Sequence, residues 1–124
     1  MKTFLLKFFA SILLILSPLA PIVISLGILI FIDFITGVYK SVKIKDTITS
    51  RKMSLTVSKL LLYNLAILSG FLCETFLIKE IPFTKIISGF IALTELKSIS
   101  ENVTAVTGVN YWNKIMEYVK RSKN

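Results

Sequence analysis

Two long apolar runs dominate the pattern of hydrophobic and polar positions along the chain. Residues 19–39 hold thirteen Leu, Ile, Val or Phe side chains and a single charge, Asp33. At about 1.5 Å per residue, a helix over this run reaches about 31 Å, enough to cross a hydrocarbon core of about 30 Å. Residues 60–78 form a second run, which reaches about 28 Å on the same basis. Both patterns predict membrane-spanning helices.

A shorter apolar run, residues 4–16, precedes the first long one. Its length is about 20 Å, and Lys2 and Lys7 lie beside and within it, so it either crosses the membrane or lies in the interface. Lys7 and the prolines around the only plausible cleavage site argue against a signal peptide, and we expect a retained helix. Pro18 and Pro21 predict a tight turn into the next helix.

The last third of the chain is less apolar. Residues 83–106 predict a helix that begins with apolar residues and ends with polar ones, and Gly108 is expected to end it. Residues 110–122 predict an amphipathic helix, because apolar side chains recur there at helical spacing. We expect this helix to lie on an anionic membrane surface through Tyr111, Trp112, Lys114, Lys120 and Arg121. The alternative is that it packs against a neighbouring subunit.

Together these patterns predict an all-α integral membrane protein in a single domain, residues 1–124. The helices are expected near residues 3–17, 20–40, 55–78, 83–106 and 110–122. Three or four of the first four are expected to be transmembrane, and we expect an oligomeric helical assembly.

Composition and charge favour the same class. Hydrophobic residues make up 54% and charged residues 18% of the chain, against about 45–50% and 25% in soluble domains. The net charge of +8 would suggest nucleic acid in a soluble protein. Here Lys and Arg flank the apolar runs, so we expect them to set topology and to contact anionic lipid rather than nucleic acid. Residues 40–59, with six Lys or Arg, are assigned to the cytoplasm together with both termini.

The residue types exclude much catalytic chemistry. The chain has no His and one Cys, Cys73, which excludes His-based triads, ordinary zinc sites and an internal disulfide. Cys73 lies in an apolar run and is interpreted as a packing residue. We expect no enzyme activity, no catalytic residue, no cofactor and no metal.

Asp33 requires an explanation, because an acid in a membrane helix costs free energy and is a functional candidate. Lys59 enters the second long helix from the same side of the membrane, and Glu95 lies at a similar depth. We expect Asp33 to pair with Lys59, or with a lysine or hydroxyl group of a neighbouring subunit. A static structural pair is the alternative to a functional one.

One face of the second long helix combines polar and small residues. They recur at spacings of three or four and therefore share that face: Lys59, Tyr63, Ala66, Gly70 and Glu74. Ala66 and Gly70 allow another helix to come close. The stripe is either a pore-facing or subunit contact, or ordinary packing within the chain. Glu74 is either functional or a residue of the outer interface.

The chain carries three motifs: Asp33-x-x-Thr36-Gly37, a basic stretch containing Ser50-Arg51-Lys52 that leads to Lys59, and Glu95-x-x-Ser98-x-x-Glu101-Asn102. Together these motifs resemble the phage holin family, which also includes toxin-secretion holins. The resemblance covers about residues 25–108, and the last motif is the most specific.

The resemblance implies a small protein that assembles into oligomers in the bacterial inner membrane. It would open lesions through which an endolysin or toxin passes, without direct contact with that partner. The residues expected to hold helices and subunits together are Asp33, Thr36, Gly37, Lys59, Glu95, Ser98, Glu101 and Asn102. Two other functions remain open: a small oligomeric ion channel or transporter lined by Asp33, Glu74 and Glu95, and a structural scaffold in a membrane or virion that does not permeabilise.

Overall fold

The computed structural model of the protein describes residues 1–45 and 50–123, the side chains of residues 50 and 51 excepted. This part of the chain is almost entirely helical and contains no strand, which confirms the all-α prediction. Its α-helices are α1 (Lys2–Leu16), α2 (Ala20–Lys43), α3 (Ser50–Leu72), α4 (Phe83–Thr107) and α5 (Tyr111–Lys123). Part of the predicted basic segment, residues 46–49, lies outside the described residues.

The junction between α1 and α2 differs from the prediction. A 3₁₀ turn, Ser17–Leu19, joins the two helices with right-handed backbone angles on both sides, so that Lys2–Lys43 form one helix of 42 residues. The tight turn predicted at Pro18 and Pro21 is therefore wrong. The φ of proline suits a helix, and proline is tolerated in a first turn, where backbone N–H groups need no acceptor within the helix.

Helices α2, α3 and α4 form a three-helix bundle in which α4 packs against both others. At one end, Asp33 of α2 meets Lys59 from the first half of α3 and Ser98 from the second half of α4. At the other end, the start of α2 meets the end of α3 and the start of α4 around a shared cavity. Helix α3 therefore runs antiparallel to its two neighbours.

The apolar core of this bundle is small. Leu26, Ile67 and Ile91 contribute one buried residue from each helix, while many large apolar side chains, such as Phe31 at 61% exposure, lie on the outside. The buried polar residues in the described part of the chain are Ser41, Thr84, Glu95 and Ser100. A polar interior inside an apolar exterior suits a lipid environment, where exposed apolar surface carries no penalty and polar groups need internal partners.

Two helices of the described part are long and apolar enough to cross a membrane, Lys2–Lys43 and Lys52–Leu77. They contain the two long apolar runs of the sequence. Separate membrane spans over residues 4–16 and over residues 83–106 stay predictions.

Helix α5 follows α4 after a short connection. Gly108 caps α4 with a left-handed φ of 77°, which glycine adopts at little cost. The Thr104 hydroxyl donates to the Val109 carbonyl at 2.8 Å, and the Asn110 side chain accepts from the Asn113 N–H at 3.0 Å as an N-cap. These contacts fix the position at which α5 leaves the bundle.

Candidate functional site

A cluster of polar side chains joins the three bundle helices around Asp33. The Oδ2 atom of Asp33 lies 3.1 Å from Lys59 Nζ. This is the ion pair expected from the sequence. Its Oδ1 atom accepts hydrogen bonds from the Ser98 hydroxyl at 2.6 Å and from Asn102 Nδ2 at 3.1 Å. Both carboxylate oxygens thus have partners, each from a different neighbouring helix.

Glu95 is the most buried member of the cluster, with no exposed surface. Its Oε1 atom lies 3.4 Å from Lys59 Nζ and accepts a hydrogen bond from the Tyr63 hydroxyl at 3.1 Å. Its Oε2 atom is buried and has no hydrogen-bond partner in the described part of the chain. Two carboxylates therefore share one lysine, and a buried unpaired oxygen lowers stability at this point.

Asn102 connects α4 to the backbone of α2. Besides the Asp33 carboxylate, its Nδ2 atom lies 3.1 Å from Thr36 Oγ1 and 3.3 Å from the Asp33 carbonyl oxygen. A Cβ atom on Gly37 would lie 3.6 Å from the same nitrogen, an ordinary contact. The motif residues Asp33, Thr36, Ser98 and Asn102 thus meet at one point, and Gly37 lies beside it with room for a Cβ atom.

The polar and small stripe on α3 faces α4 within the chain. Gly70 is buried, and a Cβ atom there would lie 2.7 Å from Ile87 Cδ1 and 3.5 Å from Phe83 Cβ. Ala66 is half-buried one turn earlier. Glu74 lies in a π-helical turn, Cys73–Leu77, and accepts a hydrogen bond from the Thr84 hydroxyl. The stripe therefore contributes to packing between α3 and α4.

Other predicted site residues lie away from this cluster. Glu101 is exposed, although the two motif residues that flank it in α4 take part. On α5, Trp112 is half-buried, and the remaining predicted membrane-surface residues are exposed: Tyr111, Lys114, Lys120 and Arg121. No group of three His, Cys, Asp or Glu side chains in the described residues is arranged to hold a metal ion.

Sequence reasoning missed two polar contacts. Ser41 is buried and accepts a hydrogen bond from Lys52 Nζ at 2.8 Å, and Thr84 donates to Glu74. A signal existed for Ser41, because it follows Asp33 and Gly37 at spacings of four and lies on the same face of α2. Ser41 and Lys52 border a cavity of about 250 Å³ that also reaches Asp33.

The polar contacts of the cluster join the three helices to one another. Its carboxylates, ammonium group, hydroxyls and amide are mostly paired with one another, so that most of these polar groups have partners inside an apolar shell. The fold and the cluster define a helical membrane protein in which buried polar contacts hold the helices together.

The comparisons with known proteins identify the family. The model of the bacteriophage holin family matches residues 8–124, nearly the whole chain, and the chain belongs to this family. Membership confirms the resemblance carried by the three motifs, and it supports a phage holin-type membrane function. The family is one of membrane-permeabilising proteins and not of enzymes. Neither the curated proteins nor the solved structures provide a match.

Proposed function

We propose that the protein oligomerises in the bacterial inner membrane and permeabilises it, so that an endolysin or toxin passes. Membership of the holin family over residues 8–124 carries this proposal. The polar cluster supports it, because a bundle held together internally leaves its apolar exterior to lipid and to other copies of the chain.

The positions of the basic residues indicate which end of the bundle faces the cytoplasm. Lys40, Lys52 and α5, with its basic last turn, lie at the end of the bundle that also holds the polar cluster. The positive-inside rule assigns this end to the cytoplasm. A cytoplasmic N-terminus would require the chain to reverse between α1 and α2, and a sharp bend at Ser17–Leu19 in the membrane would have to supply that reversal.

Lysis of an expressing host tests the function. The protein is induced in bacteria that also produce a cytosolic cell-wall hydrolase without an export signal. Culture density and release of a cytosolic reporter enzyme are followed over time. We expect abrupt lysis at a reproducible time, and a delayed or abolished onset with Asp33→Asn, because that substitution removes the charge that holds Lys59 at 3.1 Å.

Glu80→Gln is the matched control, since Glu80 is an exposed acid in the turn between α3 and α4. It is expected to lyse at the wild-type time at equal membrane abundance. Ion leakage without enzyme release would replace the holin function with a channel. Steady growth with stable co-purification of a partner protein would replace it with a scaffold.

A further inference from the structure

A cavity of about 310 Å³ lies at the end of the bundle opposite to the polar cluster. Its polar lining consists of Glu74, from the π-helical turn that follows α3, and of Thr84, Lys85 and Ser88, from the first two turns of α4. Turns of this kind are frequent at functional sites, and cavities of about 300 Å³ or more can hold small ligands. We call this site the Glu74 cavity.

The Glu74 cavity presents one acid and one base that are not paired with each other. The hydroxyl of the buried Thr84 donates to Glu74 Oε2 and thereby fixes the carboxylate. In the part of the chain that the structure describes, Glu74 Oε1 has no hydrogen-bond partner, and neither Glu74 nor the exposed Lys85 forms an ion pair. A ligand that satisfies both charges therefore carries a positive and a negative group.

The depth of the Glu74 cavity is that of a lipid headgroup. Lys40, at the basic end of the bundle, and Ile22, in the cavity lining, are eighteen residues apart on α2, or about 27 Å along the helix. The hydrocarbon core is about 30 Å thick, so that the cavity lies near one boundary when Lys40 lies at the other. Leu19, Ile22 and Phe71 add an apolar lining, and on the orientation proposed above the cavity belongs to the outer leaflet.

We propose that the Glu74 cavity binds one phospholipid whose headgroup carries a primary ammonium group, as phosphatidylethanolamine does. The ammonium group donates to Glu74, the phosphate contacts Lys85, and the start of an acyl chain lies against the apolar lining. An anionic headgroup would leave Glu74 without a positive partner, and the quaternary ammonium group of a choline headgroup has no N–H to donate. A zwitterion with N–H donors forms charge-assisted hydrogen bonds at both residues.

Native mass spectrometry of the detergent-solubilised full chain tests the proposal. Phosphatidylethanolamine, phosphatidylcholine and phosphatidylglycerol, all with dioleoyl chains, are titrated separately, and the dissociation constant of the first lipid adduct is measured for each. We expect phosphatidylethanolamine to bind about tenfold more tightly than either of the others, as one hydrogen bond to a charged group contributes.

Variants of the two charged residues should give different results. Glu74→Gln is expected to abolish the preference for phosphatidylethanolamine, because a neutral amide no longer attracts the ammonium group, although it can still accept from Thr84. Lys85→Gln is expected to weaken the binding of all three lipids about fivefold, since each carries a phosphate and one basic residue near a lipid contributes about this much.

The turn between α3 and α4 offers matched controls. Glu80→Gln and Lys79→Gln remove an exposed acid and an exposed lysine at the same end of the bundle but outside the cavity lining, and should keep the binding of all three lipids. Ser88→Leu fills the cavity and should weaken all three. Gly89→Leu, where a Cβ atom would meet nothing within 4 Å, should weaken none. Ser88→Leu tests the proposal even if the charge variants do not fold.

Several results would overturn the proposal. Equal affinity for phosphatidylethanolamine and phosphatidylcholine would show that the ammonium group forms no bond with Glu74. An equal loss of preference in Glu74→Gln and Glu80→Gln would assign the preference to general surface charge. Displacement of the lipid by soluble glycerophosphoethanolamine, at matched ionic strength, would assign the site to a free zwitterion. A Ser88→Leu variant with altered oligomer size but unchanged lipid binding would make the cavity a subunit contact. Lipid binding is measured without lysis, so failure of the proposed function would leave this test standing.

Discussion

At the scale of single residues, the cluster is organised by the two oxygens of Asp33. One oxygen faces Lys59, and the other accepts from Ser98 and Asn102. An asparagine at this position keeps one acceptor for α4 but brings its NH₂ group towards the Lys59 ammonium. The ion pair and the hydrogen bonds to α4 can therefore be separated by mutation.

We expect Asp33→Asn to lower the free energy of unfolding by about 1–3 kcal/mol. Breaking a buried pair costs about 3–5 kcal/mol, and solvent screens this pair because the Lys59 side chain is 33% exposed. Unfolding in mixed detergent and dodecyl sulfate micelles, followed by circular dichroism, measures the change. Lys43→Met, which removes an exposed lysine of α2, is the control for loss of charge.

The double variant Asp33→Asn/Lys59→Met isolates the pair. If the ion pair acts directly, the two single losses should exceed the loss of the double variant by about 1 kcal/mol or more. Additive losses would mean that Asp33 contributes only through its bonds to α4.

Glu95→Gln is expected to change the free energy of unfolding by less than about 1 kcal/mol. The glutamine oxygen can still accept from Tyr63, Lys59 keeps its pair with Asp33, and a buried charge is removed. Glu95→Ala should cost about 2–4 kcal/mol, because it leaves a void and removes the acceptor of Tyr63. The same unfolding assay compares them, with Glu101→Gln on the exposed side of α4 as the control. A Glu95→Gln loss as large as that of Glu95→Ala would show that the charge itself is needed.

The sequence predicted part of this site. The sequence predicted that Asp33 and Lys59 lie close together. Their two helices meet the same membrane surface, and the depth of each residue follows from counting residues from that surface. The bond between Tyr63 and Glu95 and the bond between Ser41 and Lys52 depend on how each helix rotates about its axis. That rotation is set by packing of side chains such as Ile67 and Ile91, which the hydrophobic pattern of one helix does not specify.

At the scale of helices, Gly70 lies at a close contact between α3 and α4. A Cβ atom there would lie 2.7 Å from Ile87 Cδ1, the mobile end of a side chain, but also 3.5 Å from Phe83 Cβ. An alanine can therefore be accepted after a small shift of Ile87, whereas a larger side chain would push the helices apart.

We expect Gly70→Leu to lower the free energy of unfolding by about 1–3 kcal/mol through overpacking. Gly70→Ala should cost less than about 1 kcal/mol, and Ile87→Val should recover part of that cost by removing the contacting methyl group. Unfolding in mixed micelles measures all three, with Gly89→Leu as the open-space control. Equal tolerance of leucine at both glycines would contradict the close approach.

The limits of sequence reasoning are also visible at this scale. The two long apolar runs predicted the two helices that are apolar enough to cross a membrane, because the period and length of such a run are local properties. The prediction of a tight turn at Pro18 and Pro21 was wrong, because proline is compatible both with a turn and with the first turn of a helix. Local sequence therefore left the path of α1 undetermined.

At the scale of the whole molecule, α1 stands apart from the bundle. None of its residues is buried, and Leu16 at its end is the α1 residue that packs against the buried core. The rings of Phe4 and Phe8 lie 6.4 Å apart and those of Phe8 and Phe9 lie 5.9 Å apart, measured between centroids. The 42-residue helix Lys2–Lys43 would be about 63 Å long if straight, twice the thickness of a hydrocarbon core of about 30 Å. A single straight span therefore cannot hold α1 and α2 together in the bilayer.

This separation predicts that α1 is dispensable for the bundle but needed for assembly. Deletion of residues 2–15, which keeps Leu16, should leave the free energy of unfolding within about 1 kcal/mol of wild type, since none of the deleted residues is buried or packs against the buried core. The same deletion should remove apolar surface that other copies can cover, and so lower the cross-linked oligomer yield and delay lysis. Cross-linking in membranes and the lysis assay measure these effects, with the variant's membrane abundance matched to wild type. If the deletion unfolds the bundle, α1 packs on it in the membrane; if oligomers and lysis are unchanged, assembly uses the exterior of α2–α4 alone.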